Sequence, residues 1–332
     1  LRRYYFSQEF QFVNSEKYPF KLRHTLYHQA NKYRFIESSS ESYYTSSYVD
    51  DFDTYAYKFS KNLSNTISLV FDKKTFKLDA GFRHQLINLG TDRELPAAVG
   101  VVIPTENKEN RLGAVGNLEI KLWDKVDVKS FLEYSNGKSF GNYLRSENLL
   151  KLEPIKGYIL DAHVNFQSAI PSFNYLMNPS FYQNFNYNFG GAKNQSITEI
   201  GGKVNLKWFE SSVFANYFRI DNFAYFGTDF LPKQSSETVN ISQIGGEATL
   251  NYWKLKFNTK LLFQSALSQK ELLPMPNFVG RLNVFYQSKA FKNAAEIQTG
   301  FKVYYFSKFK SRDYFPVLNE FVLSNSGTSI GG

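Results

Sequence analysis

Residues 157–167 read Gly-Tyr-Ile-Leu-Asp-Ala-His-Val-Asn-Phe-Gln. Tyr158, Leu160, Ala162, Val164 and Phe166 fall on one parity; Ile159, Asp161, His163, Asn165 and Gln167 fall on the other. Successive side chains of a strand point to opposite faces, so the stretch predicts a strand that is apolar on one side and wet on the other. The pattern recurs. Phe76, Leu78, Ala80 and Phe82 alternate with Lys77, Asp79, Gly81 and Arg83. Val204, Leu206 and Trp208 alternate with Lys203, Asn205 and Lys207, and Leu255, Phe257, Leu261 and Phe263 with Lys256, Asn258, Lys260 and Gln264. No stretch carries the 3.6-residue period of an amphipathic helix.

The connections between these segments alternate in length. Short ones fall near 14–19, 72–75, 123–125, 153–156, 209–212, 252–253 and 289–293. Long ones fall near 36–54, 90–110, 137–143, 169–196, 221–239, 265–276 and 307–319. Such an order describes an up-and-down meander of antiparallel hairpins, with tight turns at one end and excursions at the other.

Composition narrows the setting. The chain has 332 residues, a net charge of +9, 33 Phe, 23 Tyr and no cysteine. Thiolate metal sites, disulfide scaffolds and cysteine nucleophiles are therefore excluded. The longest apolar run, around Ala97–Ile103, is far short of the roughly 18 residues a spanning helix needs. Lys and Arg are spread singly rather than gathered in a run, which argues against nucleic acid as partner.

A soluble sandwich buries its apolar faces between two sheets, whereas a membrane barrel turns them to lipid and its polar faces to a lumen. Strand length, asymmetric loops and aromatics at strand ends favour the barrel, because amphipathic rings settle between headgroup and acyl chain. Tyr4, Tyr5, Trp123, Tyr134, Trp208, Tyr252, Trp253 and Tyr305 are the candidate girdle. The expectation is an all-β, transmembrane, antiparallel barrel occupying 1–332 as one domain in a bacterial outer membrane, in contact with lipid and lipopolysaccharide. About 14 strands precede Asn319 and a fifteenth is expected at Glu320–Leu323. Bacterial barrels close with even numbers, so about 16 strands are expected when complete, with the chain stopping early at Gly331-Gly332.

The C-terminal third is the most specific part. Pro276-Asn-Phe-Val-Gly-Arg-Leu-Asn-Val-Phe-Tyr286, Gln298-Thr-Gly-Phe-Lys-Val-Tyr-Tyr-Phe-Ser-Lys308 and Phe315-Pro-Val-Leu-Asn-Glu-Phe321, with Arg219-Ile-Asp-Asn-Phe-Ala-Tyr-Phe226 upstream, resemble the putative porin family of Bacteroidota outer membranes. The resemblance implies barrel fold, outer-membrane location and further strands beyond Gly332. It says little about cargo.

The polar parity supplies the candidate lumen residues. Basic ones are Arg23, Arg83, Lys121, Lys129, Lys203, Lys207, Lys256, Lys260, Arg281 and Lys302; acidic ones are Glu119, Glu133, Asp161, Glu199, Glu247 and Glu296. Rings of charge set the field in a pore, and the basic excess leans towards anions. The competing reading is cross-strand pairing in which these charges satisfy one another.

Catalysis needs a constellation, and none is legible. His24 and His28, four apart on a strand, stand about 13 Å from each other, too far to share a metal ion. Together with His84 they fall on the apolar parity, which calls for an interfacial position or a register slip. His163 near Asp161 invites a general-base reading, but the simpler one is a lumen hydrogen-bonder. Gly190-Gly191, Gly201-Gly202 and Gly245-Gly246 precede strands rather than helices, so they mark close backbone approach rather than a phosphate loop. Asp50, Asp51 and Asp53 carry oxygens that suit calcium, but no cofactor is required. The function expected is passive passage of small hydrophilic solutes without enzymatic chemistry. The alternatives are a plugged structural barrel among other envelope proteins, a soluble sugar-binding β-protein, and an envelope enzyme.

Overall fold

The computed structural model describes residues 1–12, 19–37, 55–91, 105–180, 182 and 185–332. Fourteen long strands form one antiparallel sheet in chain order: β1 (Arg2–Gln11), β2 (Phe20–Ile36), β3 (Tyr55–Asp72), β4 (Phe76–Gly90), β5 (Glu106–Leu122), β6 (Val126–Asn136), β7 (Tyr143–Ile155), β8 (Tyr158–Ala169), β9 (Gln195–Leu206), β10 (Ser211–Asp221), β11 (Val239–Tyr252), β12 (Leu255–Ala266), β13 (Phe278–Ala290) and β14 (Ala295–Phe306). Each pairs with its sequence neighbours, and β1 and β14 are the two edges of this order. The up-and-down meander is therefore the fold. β5 begins at Glu106, inside the segment expected to be loop up to Asn110.

Short connections close as hairpins. At Leu122–Lys125 the amide of Lys125 donates to the carbonyl of Leu122 at 3.1 Å, with Trp123 and Asp124 both at positive φ (52° and 53°). Two left-handed central residues are what a twisted hairpin asks of a two-residue turn. A tryptophan in that strained position has a second reason to be there: it is 82% exposed at the tip, where a ring can enter the interfacial layer.

Register sets the two faces. Directly opposed residues share a face, so one parity can be followed across the sheet. Glu9, Arg23, Ser68, Gly81, Val115, Glu133, Arg145, Gln167 and Ile197 oppose one another in succession from β1 to β9. The alternate parity carries the exposed apolar side chains Phe82, Leu112, Leu160, Val164, Ile200, Val204, Val213, Ile244 and Phe263.

A second structure sits at the long-loop end. Residues of the connections after β8, β10 and β14 bury Tyr182, Phe185, Tyr187, Phe226, Phe315, Val317, Leu318 and Val322 together with Ala56 of β3. Here Glu320–Val322, expected as a fifteenth barrel strand, is instead one strand of a small four-stranded sheet with Asp313–Phe315, Ala224–Phe226 and Pro232–Gln234. Three residues are too few to cross a bilayer, which takes about 9–11. This cap is fastened to the far wall. Lys58 Nζ of β3 donates to the Leu318 carbonyl at 2.8 Å, and the Tyr33 hydroxyl of β2 donates to the Pro316 carbonyl. The segment that leaves β14 thus reaches β2 and β3, twelve and eleven strands away in the order, so the sheet is curled and the cap crosses its mouth.

Candidate functional site

The concave face is built from the row that holds Arg23 and Glu133. Its geometry shows in ion pairs that skip a strand. Arg23 of β2 meets Asp79 of β4 at 2.6 Å, Arg83 of β4 meets Glu133 of β6 at 2.5 Å, and Lys203 of β9 meets Glu247 of β11 at 3.0 Å. Next-but-one strands lie about 10 Å apart. Side chains span that gap readily on the inside of a curve, where they converge. A cavity of about 850 Å³ runs along this face, lined by Arg23, Asp79, Glu119, Lys129, Glu147, His163, Asn165 and Glu199. A second of about 430 Å³, lined by Tyr5, Tyr27, Arg83, Arg111, Glu133 and Tyr143, shares this inner parity.

Every charged residue selected from the sequence on β2 to β14 lies on this inner parity; Lys207 stands in the turn just past β9. Many are paired. Arg23 also holds Glu9 at 2.7 Å, Lys121 holds Glu119 at 3.1 Å, and Lys129 holds Asp127 at 3.8 Å. Asp161 accepts from Asn205 at 3.2 Å, and Glu296 accepts from Gln287. Five cations, Lys207, Lys256, Lys260, Arg281 and Lys302, form no ion pair among the described residues.

His163 does not pair with Asp161. Its Nε2 lies 3.3 Å from Glu199 Oε1, and Asn165 donates to the other oxygen of that carboxylate at 3.0 Å. Gly201, opposite His163, makes this possible: a Cβ there would stand 2.7 Å from the imidazole and would meet Asn216 as well. At Gly201 the close approach is by side chains rather than by the backbone expected of this glycine pair; at Gly202 it is the Asp161 carbonyl, 3.1 Å from where a Cβ would stand.

The other histidines are on the outward face with no slip of register. His24 meets Gln8 at 3.2 Å and Asn65 at 3.1 Å, His84 meets Asn110 at 3.2 Å, and the His28 and Tyr4 rings lie 5.9 Å apart, tilted by 30°. In hydrocarbon an unpaired polar group is costly, and these supply one another's partners. The girdle divides between the two ends. Trp123, Trp208, Tyr252 and Trp253 project at the short turns, while Tyr4, Tyr134 and Tyr305 face outward nearer the long-loop end. Tyr5 is a correction: it opposes Tyr27 and lines the inner cavity with Arg83 and Glu133, because its parity is that of Glu9.

Several residues escaped the sequence reading. Glu109 and Arg111 form a buried pair on the inner face of β5; Glu109 accepts from the amides of Ser139 and Phe140, and Arg111 donates to the carbonyls of Phe140 and Gly141. Their spacing of two was the available signal. In the cap, Tyr175 stacks on Phe226 with centroids 4.7 Å apart, and burial pushes its hydroxyl up to about 12. Burial also raises the Tyr187 hydroxyl well above the usual tyrosine value, and it lowers Arg312. The candidate calcium ligands Asp50, Asp51 and Asp53 lie outside the described residues. Among the described residues no three carboxylates or imidazoles gather as a metal site.

A curled antiparallel sheet with an apolar outer face, a charged inner face and aromatic belts is a transmembrane β-barrel of the outer-membrane type. The chain belongs to the putative porin family, whose model matches residues 1–332. Solved structures carry the same architecture. The ferric enterobactin receptor PfeA of Pseudomonas aeruginosa aligns with a TM-score of 0.66 at 13% identity, covering 99% of this chain and 52% of the receptor. The siderophore receptor PirA of Acinetobacter baumannii gives 0.63 at 10% identity, covering 94% of this chain and 51% of that one. The copper transporter OprC gives 0.61 at 13% identity, covering 93% and 58%. No curated protein matches the chain. At these identities the likeness is one of fold, and the chain spans about half the length of the receptors it matches. Family and fold together make it a multi-pass outer-membrane β-barrel protein.

Proposed function

We propose that the protein is a channel for passive passage of small hydrophilic solutes, with a modest preference for anions. The observation that carries this reading is the continuous polar face from β1 to β14, concave and charge-paired, set back to back with an apolar face. A solute entering such a lumen exchanges its hydration for amides, hydroxyls and ion pairs, and therefore crosses without chemistry. Paired charges contribute little net field, so selectivity by sign comes from the cations that lack carboxylate partners on β12 to β14. The cap narrows the long-loop mouth and selects by size.

The test is conductance of the purified protein in planar bilayers under a salt gradient. The reading expects discrete open steps and a reversal potential displaced towards the anion. A second reading, a barrel plugged for a structural role in an envelope assembly, is favoured by the hydrophobic core of the cap, and silence in that assay supports it instead.

A further inference from the structure

One wall of the inner face differs from the rest. From β2 to β11 most inward Arg and Lys side chains hold carboxylates, Arg23, Arg83, Lys121, Lys129 and Lys203 at 2.5–3.8 Å; among the described residues Lys58, tied to the cap, and Lys151 are exceptions. On β12 to β14 the inward cations do not. Lys260 stands directly opposite Arg281, and one register step further Lys302 stands opposite Asn283, which is itself opposite Asn258. Directly opposed Cβ atoms on a sheet are about 5 Å apart, and like charges placed so repel. The acid that faces Lys260 from β11 is Glu247, but Glu247 is already held by Lys203 at 3.0 Å and by the Ser212 hydroxyl at 3.2 Å. What the cations touch instead is neutral: Lys260 lies 5.9 Å from the Phe214 ring, Lys302 lies 5.7 Å from the Tyr304 ring, and Arg281 donates to Asn258 Oδ1 at 3.0 Å.

The floor of this patch is also incomplete. Asn283 is only 6% exposed and its Oδ1, an acceptor, has no partner; the Arg281 Nε–H, a donor, has none either. Like charges gathered on one wall, with a guanidinium N–H left unpartnered, repel one another unless a counter-charge visits them.

We infer that Lys260, Arg281 and Lys302, with Asn258 and Asn283 beneath them, form a binding site for small oxyanions of the phosphate class on the lumen wall. A guanidinium fork with two flanking ammonium groups suits an anion with several oxygens better than a spherical halide. The inference rests on the proposal that this face lines an aqueous lumen, and it deepens that proposal by naming a solute class.

The experiment is titration of the detergent-solubilised protein with inorganic phosphate by calorimetry, beside chloride at matched ionic strength. Phosphate is expected to bind saturably and chloride not. K260Q together with K302Q is expected to weaken phosphate at least about tenfold, which is the loss of one charge-assisted contact. K121Q, which touches a paired lysine elsewhere on the wall, is expected to leave affinity unchanged. If the double variant fails to fold, R281K keeps the charge but loses the fork, and it is expected to weaken phosphate on its own. Equal phosphate affinity in wild type, K260Q/K302Q and R281K overturns the site, as does no binding at all. Conductance separates the two readings: open steps without phosphate binding sink this site alone, whereas binding in a silent bilayer sinks the channel and leaves the site.

Discussion

Truncating Phe226 should open the cap while leaving the barrel intact. The ring is 0% exposed, stacks on Tyr175 at 4.7 Å and lies 5.9 Å from Tyr187. Its backbone bridges Val322, and its carbonyl accepts the Leu323 amide at 3.1 Å, so the strand at 224–226 would keep its main-chain ties in F226A. Removing a fully buried phenyl costs about 3–5 kcal/mol. At about 1.4 kcal/mol per decade, that raises the open population of the cap by roughly 150- to 4,000-fold. The cost falls mainly on the cap because, of the nine buried residues described in its cluster, Ala56 alone belongs to a long strand, with Phe35 of β2 packed against them. Hydrogen exchange reads this directly. Amides of residues 224–226 and 313–322 should lose protection in F226A by that factor, while amides in β4 to β8 stay as slow as in wild type. F226L keeps most of the volume and should cost less than about 1.5 kcal/mol. Unchanged exchange in the cap would refute the reasoning. Equal loss in cap and β4 to β8 would refute the claim that the two are separate cooperative units.

Three further outcomes are expected. F82R places a cation on the outward face at a side chain that is 81% exposed; in bilayers it should destabilise the fold by about 2–4 kcal/mol, whereas Q85R on the inward face should stay within about 1 kcal/mol, as urea titration in liposomes would show. R83Q strands Glu133, whose side chain is only 7% exposed, and should cost roughly 3 kcal/mol, with most of it recovered in R83Q/E133Q, a double-mutant cycle measured in the same titration. The raised Tyr175 and Tyr187 hydroxyls favour the neutral, folded form. The contribution of Tyr175 to cap stability is complete below the ordinary value near 10 and is lost as pH rises from there through about 12, and that of Tyr187 falls in the same direction above 10. Cap exchange corrected for intrinsic rate should therefore accelerate in that window and not below it.

The barrel was legible because its signal is local. In β8, side-chain direction follows parity, and the sheet needs nothing more to separate Leu160 from Asp161. Inner charges such as Arg83 and Glu133 could be assigned to a face for the same reason, though not to one another, since their contact depends on curvature. The cap was illegible because its burial is long-range: Lys58 meets Leu318 across 260 positions of sequence, and loop aromatics such as Phe185 and Phe315 have no period to betray a core. Tyr5 was misplaced because grouping aromatics by strand end ignores parity, which sends Tyr4 out and Tyr5 in. Glu109 falls in the polar run expected as loop up to Asn110, through which β5 extends, and without it Arg111 has no partner to mark it.

The account stands on what each face of the strands touches, and the absence of native cysteine makes that measurable. Single cysteines at Leu160, Asp161, His163 and Val164 in the bilayer-embedded protein can be challenged with a charged, membrane-impermeant maleimide. The account predicts fast labelling at 161 and 163 and protection at 160 and 164, with the protected pair quenched by brominated acyl chains when carrying a fluorophore. Equal labelling at all four positions, or protection of the charged parity instead, would contradict it.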